Sequence, residues 1–428
     1  MEYFFGLDFG TSNSTLSVNC DGNVRLLEID PLSQTPFSLK SVLFYDEDER
    51  ILRFGQDAIN GYLDNDACGR YIQSIKSYLP DRTFQTTDIA GKPLDIIDII
   101  AIILREIKRR GEAIIDSCVD KVVLGRPAVF SDDPSIDKLA QDRLIAAANK
   151  AGFSEIVIQL EPVAAALSNM RNYSSEESIV LVGDFGGGTS DFAVVKINPC
   201  SNNTNKGIVL ATSGVYVGGN NFDSKIMWEK LTPFFGRDAK IRTMDGVISG
   251  SGDWNTMPVG ILRELCQWHN IPRLKTPRNM DTLRRYQYLA QDSDKHLIDN
   301  LIHLIEDNYG YMLFRSIEAA KILLSKDEMS QIFFRERKLI VEEIILREEF
   351  EDMLNEFVVK ISTSVDRVIK DAGIANADVN TVLLTGGSSL IPSIGRIFSA
   401  RFGNSKILSA DAFTSVAFGL GSESSLLI

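Results

Sequence analysis

Gly183-Asp184-Phe185-Gly186-Gly187-Gly188-Thr189-Ser190-Asp191 stands between two apolar runs, and Gly6-Leu7-Asp8-Phe9-Gly10-Thr11-Ser12 near the start of the chain is its shorter echo. Residues 3–7 and 15–18 flank the first motif, and the second lies within 179–196. All these flanks have strand-like composition, so each motif is predicted to be the turn of a hairpin. One turn written twice predicts two related halves that face each other.

The residue types in these turns suit phosphate. Glycine adopts positive φ without steric cost and lets backbone N–H groups approach an anion with no Cβ in the way. The Thr and Ser hydroxyls add donors. An aspartate before the glycine repels phosphate, but it can hold Mg²⁺ through waters. The second motif shares Asp-Phe-Gly with protein kinases, yet no V-A-I-K strand or H-R-D loop accompanies it. Its glycines open a strand, unlike a dinucleotide fingerprint, and no G-x-x-x-x-G-K-[ST] loop occurs.

Working outward, residues 21–93 read as short strands and loops. Apolar spacing predicts an amphipathic helix over 94–115. A strand follows at 122–125. Asp132-Asp133-Pro134 then starts a helix that runs to about Ala151 and stops at Gly152. Residues 156–160 are a predicted strand, and the Ala-rich stretch 162–170 a predicted helix. The interval 236–307, rich in Trp, Arg and Pro, reads as a less regular peripheral subdomain. Helices return at 309–324 and 348–372. A strand at 382–384, a Gly-Gly turn, a helix from Pro392 and a last helix from Phe413 close the chain. Strands and helices alternate, which is the α/β class.

Composition narrows the functional classes. The 428 residues carry a net charge of −13, which opposes non-specific binding to nucleic acid or an anionic membrane. Five cysteines (Cys20, Cys68, Cys118, Cys200, Cys266) form no C-x-x-C pair, and their odd number argues against a disulfide framework. His269, His296 and His303 have no metal-binding spacing. The most apolar stretch, 94–104, is broken by Asp95 and Asp98 and is too short to span a bilayer. The start lacks a basic n-region, so a cytoplasmic location is expected.

With these motifs in view, almost the whole chain resembles the nucleotide-binding domain of the DnaK-type heat-shock chaperones, within the actin-like ATPase superfamily. Asp8 to Ser14 follow that family's D-L-G-T-T-N-S, and Asp184 to Asp191 its D-L-G-G-G-T-x-D. Glu161-Pro162-Val163-Ala164-Ala165-Ala166 matches E-P-x-A-A-A. Gly218-Gly219-Asn220-Asn221-Phe222-Asp223 echoes G-G-x-D-F-D, and Gly386-Gly387-Ser388 through Pro392 follows G-G-S-x-x-x-P. Pro127 corresponds to a proline thought to couple nucleotide state to shape.

The resemblance implies a duplicated ribonuclease H-like motif, with two lobes, each of an inner and an outer subdomain, around a nucleotide cleft. Lobe I would comprise residues 1–175 (inner 1–30 and 110–175, outer 31–109), completed by a C-terminal helix at 408–428. Lobe II would comprise 176–407 (inner 176–225 and 357–407, outer 226–356). The implied ligands are ATP or ADP with Mg²⁺. Asp8, Glu161 and Asp184 would arrange the ion and the attacking water, with Asp8 and Asp184 holding the ion through waters. Lys76 lies where the family keeps its catalytic lysine; the alternative is a solvated surface lysine. Thr189 would orient water. Gly10, Thr11, Ser12, Asn13, Gly186, Gly187, Gly188 and Thr189 would hold phosphates, with Gly218 and Gly219 beside them.

Glu318, Lys321, Ser325, Gly386, Gly387 and Ser388 would line the adenosine pocket; an exposed Glu318–Lys321 helical pair is the alternative there. Ile322 and Leu390 replace the two arginines that sandwich the adenine in the family, which removes cation–π and stacking attraction of about 1–2 kcal/mol. Residues 424–428 end just past the last ATPase-domain helix. That and the 254–272 region, with Trp268 and His269, resemble the YegD-like branch, which lacks a peptide-binding domain. The expected function is a slow ATPase or nucleotide-dependent switch acting on a co-chaperone-like or client protein, with no nucleic-acid or membrane partner. A small-molecule kinase, an actin-type filament protein and a non-hydrolysing nucleotide sensor are the alternatives.

Overall fold

The computed structural model describes residues 2–65, 69–168, 177–198, 207–243, 253–267, 270–409 and 414–423. The chain divides into two compact units, one of Met1–Gly219 with Val358–Ile428 and one of Asn220–Phe357.

The larger unit is built on two sheets of one topology. In the first, β1 (Tyr3–Phe9), β2 (Asn13–Cys20) and β3 (Asn23–Leu26) form an antiparallel meander, and β4 (Lys121–Arg126) and β5 (Glu155–Leu160) add in parallel beside β1. The order is β5-β4-β1-β2-β3, with a short strand at Ser38–Lys40 pairing the start of β2. In the second, β6 (Ser178–Phe185), β7 (Ser190–Ile197) and β8 (Gly207–Val215) form the meander, and β9 (Thr381–Thr385) and β10 (Ile407–Ser409) add in parallel. Its order, β8-β7-β6-β9-β10, repeats the first. The echo between the two Asp-Phe-Gly motifs is therefore an echo between whole sheets.

Strand periodicity decides where each face goes. In β1, Phe5, Leu7 and Phe9 point into a core shared with α1 (Ile96–Ile115) and α2 (Pro134–Ala151). Asp95 and Asp98 form a capping box at the start of α1. Asp133 caps α2, Pro134 opens it, and Gly152 ends it at φ +102°. Phe4 points the other way, into a second core with Val123, Val180, Val182, Ala193 and Val195. That core holds α3 (Glu161–Ser168) and α4 (Ser415–Ser422) and draws on strands of both sheets.

Small residues make this layer close. A Cβ on Gly419 would lie 1.8 Å from the Ala164 carbonyl oxygen, and one on Gly6 would lie 2.3 Å from the Gly421 nitrogen. Buried polar groups tie α4 to β2: Ser17 Oγ donates to the Ala417 carbonyl at 2.6 Å, and Asn19 Nδ2 to that of Gly421 at 2.7 Å.

In the smaller unit the expected irregularity of 236–307 gives way to helices, among them Pro277–Leu289 and Lys295–Glu306. Pro277 starts a helix instead of breaking one, with Thr276 accepting from the Asn279 N–H at 3.2 Å. A hairpin of Met329–Glu336 with Leu339–Leu346, absent from the sequence reading, follows the helix Gly310–Leu324. The single helix expected over 348–372 divides at Leu354 into Arg347–Met353 and Asn355–Asp371. In the larger unit a helix at Gly55–Asp64 lies within the stretch read as strands and loops. Met170, Trp268, His269, Phe413 and residues 424–428 lie outside the described residues. Among the described residues no helix is long and apolar enough to cross a membrane.

Candidate functional site

Both hairpins place an aspartate at the last pair but one before the turn. Asp8 faces Thr15 across β1 and β2, and Asp184 faces Asp191 across β6 and β7. Glu161 begins α3 at the end of β5, and Lys76 sits in a short 3₁₀ turn, Ile75–Tyr78, entered through Ser74 at φ +53°. Lys76 and Glu161 are 6% and 7% exposed, and Lys76 Nζ lies 2.7 Å from Glu161 Oε1. Lys76 is thus a buried, paired cation and not a solvated surface lysine.

The electrostatics of the group are unbalanced. Burial pushes the Asp184 carboxyl up to about 7, helped by Glu161 and Asp191 and opposed by Lys76. Burial also raises Asp191 to about 7, with Glu161 adding to it while the Thr189 hydrogen bond, Lys76 and Arg126 oppose. Asp8 is raised well above the usual carboxylate range by burial, Glu161 and Asp184, against Lys76 and a hydrogen bond from Thr15. Burial pulls the Lys76 amine down, but Glu161 and Asp8 outweigh it and keep the amine above its ordinary value. Four carboxyls around one ammonium make a place where further positive charge is favourable. Among the described residues no three carboxylate, His or Cys groups are spaced to ligate an ion directly. The chemistry of the donor set fits a hydrated divalent cation, reached through waters.

Packing shapes both turns. A Cβ on Gly10 would fall 2.2 Å from the Asn13 oxygen, so only glycine fits there. Ser41 braces the first turn, its Oγ donating to the Gly10 carbonyl at 2.7 Å and its N–H to that of Ser12 at 2.9 Å. Thr11, Ser12 and Asn13 are half-buried along this turn. In the second, the Gly186 N–H donates to the Thr189 carbonyl at 2.9 Å, and Thr189 Oγ1 donates to Asp191 Oδ2 at 2.8 Å. Gly188 passes beside Ser77, the neighbour of Lys76, with Ser77 Oγ 4.0 Å from where a Cβ would stand. Gly218 lies against Gly187, where a Cβ would come within 2.6 Å of the carbonyl carbon, and the Gly219 N–H donates to the Gly186 carbonyl at 3.1 Å. Gly386, at φ +87°, crosses over the end of β6 with the Phe185 carbonyl 2.1 Å from its Cβ position. Gly387 and Ser388 continue as a short 3₁₀ turn to Leu390.

The larger unit therefore gathers Asp8, Lys76, Glu161, Asp184, Thr189, both glycine turns, Gly218 and Gly219, and the 386–388 turn. Glu318, Lys321 and Ser325 belong to the smaller unit, on the helix Gly310–Leu324 and its C-cap. There Lys321 Nζ lies 2.8 Å from Asp223 Oδ1, both side chains being largely buried, while Glu318 is exposed. The exposed Glu318–Lys321 pair is replaced by this longer-range one. Ser325 Oγ turns back to the Lys321 carbonyl at 3.3 Å. Ile322 and Leu390 are exposed, at 55% and 54%. Asp191 and the brace Ser41 were not among the expected site residues. Asp191 was readable as the cross-strand partner of Asp184 once the turn is a hairpin; Ser41 carried no signal.

Two sheets of one topology, each with a half-buried aspartate before a glycine turn, define an actin-like ATPase fold. The family model described as Hsp70 protein matches residues 4–245 and 291–427, and the chain belongs to the Hsp70 family. It is similar to proteins named chaperone protein DnaK from Methanothermobacter thermautotrophicus, at 25% identity over 430 residues, and Thermosipho africanus, at 26% over 439. Each alignment covers 100% of this chain but 60% and 59% of those relatives, so the chain spans about three-fifths of their length.

Proposed function

We propose that this chain is a DnaK-like nucleotide module that binds ATP or ADP with Mg²⁺ and hydrolyses ATP slowly. The observation that carries the reading is the group of buried Glu161 and Asp191 with half-buried Asp8 and Asp184 around the buried Lys76, set between two glycine turns. Asp8 and Asp184 would hold Mg²⁺ through waters, and the ion when bound would supply charge neutralisation for the phosphates. Lys76, oriented by Glu161, adds a fixed positive charge where negative charge develops. Thr189 gives its proton to Asp191 in a hydrogen bond, which leaves its oxygen to orient the attacking water. Asp191, shifted to about 7, is matched to accept a proton near neutral pH.

In this reading lobe I (1–175 with 408–428) and lobe II (176–407) change closure with nucleotide state and signal to a co-chaperone-like or client protein in the cytoplasm. The resemblance of residues 254–272 supports grouping the chain, in this reading, with the YegD-like branch. A second reading, a nucleotide sensor with little turnover, is favoured by Ile322 and Leu390 at the adenine positions and by the engagement of Lys321 with Asp223.

Calorimetry with ATP and ADP, with and without Mg²⁺, tests the first reading: Mg²⁺-dependent binding is expected, and absence of any nucleotide binding defeats it. Single-turnover phosphate release without an added acceptor separates ATPase from sensor. Thr189→Ala should slow release at least about tenfold while ADP affinity stays near wild type.

A further inference from the structure

Glu161 follows the last strand of the first sheet and Thr189 lies in the β6–β7 turn of the second, and the proposed chemistry needs them held apart at a fixed distance. One covalent and hydrogen-bonded path connects their surroundings. On the first sheet, Gly125 of β4 backs onto Glu161, with its Cβ position 3.1 Å from Glu161 Cγ. Arg126 ends β4 and is 8% exposed. Its Nη2 donates to both oxygens of Asp137 at 2.8 and 2.9 Å, its Nη1 to Gln141 Oε1 at 2.7 Å, and its Nε to the Pro127 carbonyl at 3.0 Å. Asp137 also accepts the Phe130 N–H at 2.7 Å, and the guanidinium lies 4.9 Å from the centre of the Phe130 ring. The loop 127–130 is thereby pinned to α2.

On the second sheet, the segment after β8 is fastened to the glycine turn at three points. Ser190 Oγ donates to the Val217 carbonyl at 2.7 Å, Gly218 seats on Gly187, and the Gly219 N–H reaches the Gly186 carbonyl. Tyr216, in the same segment, sends its hydroxyl to the Phe130 carbonyl at 3.1 Å, although its ring is 62% exposed. An exposed tyrosine with its hydroxyl committed to a loop of the other sheet is a tie, not a packing residue.

We infer that Tyr216 and Arg126 are positioning residues: Arg126 braces the 127–130 loop, and Tyr216 ties that loop to the Gly186–Thr189 turn. Together they set the separation of Glu161 from Thr189. This rests on the ATPase reading above. A tie that acts on geometry rather than on ligand contact should move the chemical step and spare binding.

The test measures single-turnover hydrolysis and calorimetric ADP affinity in the full chain. Tyr216→Phe removes one hydroxyl at an exposed position and should slow the chemical step by about three- to tenfold, the range of one net hydrogen bond, with Kd within about twofold. Arg126→Ala should be slower still, Arg126→Lys should recover part of the loss, and Tyr216→Phe added to Arg126→Ala should cost little more, because both act through one loop. Tyr288→Phe, on an 81% exposed ring of the smaller unit, is the control and should match wild type. A Tyr216→Phe rate equal to wild type, or a loss expressed in Kd alone, overturns the inference. Wild type that binds no nucleotide, or binds without turnover, overturns the ATPase reading and this inference with it. Because Tyr216→Phe leaves the buried brace intact, it remains decisive if Arg126→Ala fails to fold.

Discussion

Removing the Lys76 ammonium would leave the buried Glu161, beside the half-buried Asp8 and Asp184, with their shared counter-charge gone. Breaking one side of a buried pair costs about 3–5 kcal/mol, because the remaining charge keeps its desolvation penalty. Lys76→Ala should therefore unfold in denaturant with a stability loss of that order at pH 8. The loss should shrink at pH 6, where Asp184, raised to about 7, takes up a proton instead. A variant as stable as wild type at pH 8 would mean that Lys76 is not the cation that holds the cluster. At this scale the sequence was partly legible. Asp8 and Asp184 follow from the turn motif, because glycine and aspartate there have a local chemical reason. The Lys76–Glu161 contact joins positions 85 apart, and nothing local in either stretch announces it. Lys321 is similar: helical spacing offered Glu318 as its partner, but tertiary packing brought Asp223, which is 98 positions away.

Among the elements, α3 and α4 carry the clearest consequence of packing. Gly419 of α4 approaches the Ala164 carbonyl so closely that no side chain fits, whereas Gly395, on the helix Pro392–Phe402, has open space at its Cβ position. Overpacking a filled core costs about 1–3 kcal/mol, while alanine for glycine in an open helical site gains up to about 1 kcal/mol. Gly419→Ala should lower the urea midpoint, and Gly395→Ala should hold or raise it. Equal midpoints for the two variants would contradict the close contact of α3 and α4. The periodic elements were legible here, from the capped helix at Pro134–Ala151 to the paired hairpins. The hairpin Met329–Glu336 with Leu339–Leu346 was overlooked although its burial alternates strictly along the first strand. Its outward face holds Met329, Phe333, Ile340 and Ile344, and apolar residues on both faces blur the period of two. Proline misled the reading of 236–307, because Pro277 opens a helix and looks like a breaker when read alone.

For the molecule as a whole, the repeated sheet brings a half-buried carboxylate to each turn, so acidity is a property of the duplication and not of one residue. In the unfolded chain Asp184 and Asp191 ionise near 3.8, whereas in the folded protein they keep their protons to about 7. Over that interval the folded state binds more protons than the unfolded state, so its stability falls as pH rises, and the effect levels off above about 7. Asp8, raised in the same direction, adds to it. With divalent cations chelated, the melting temperature should be lower at pH 8 than at pH 5.5. Asp184→Asn should gain on wild type across the same range, because it removes one of the groups that must ionise at a cost. Adding Mg²⁺ with ADP should narrow the gap, since a cation that favours the ionised carboxylates displaces their protons and stabilises the fold by mass action. Proton release on binding, read from calorimetry in buffers of different ionisation enthalpy, should accompany this and diminish above pH 8. A melting temperature that rises from pH 5.5 to 8 in wild type, with Asp184→Asn parallel to it, would show that the paired turns do not hold these carboxyls protonated. The duplication would then have to serve the phosphates through its glycines alone.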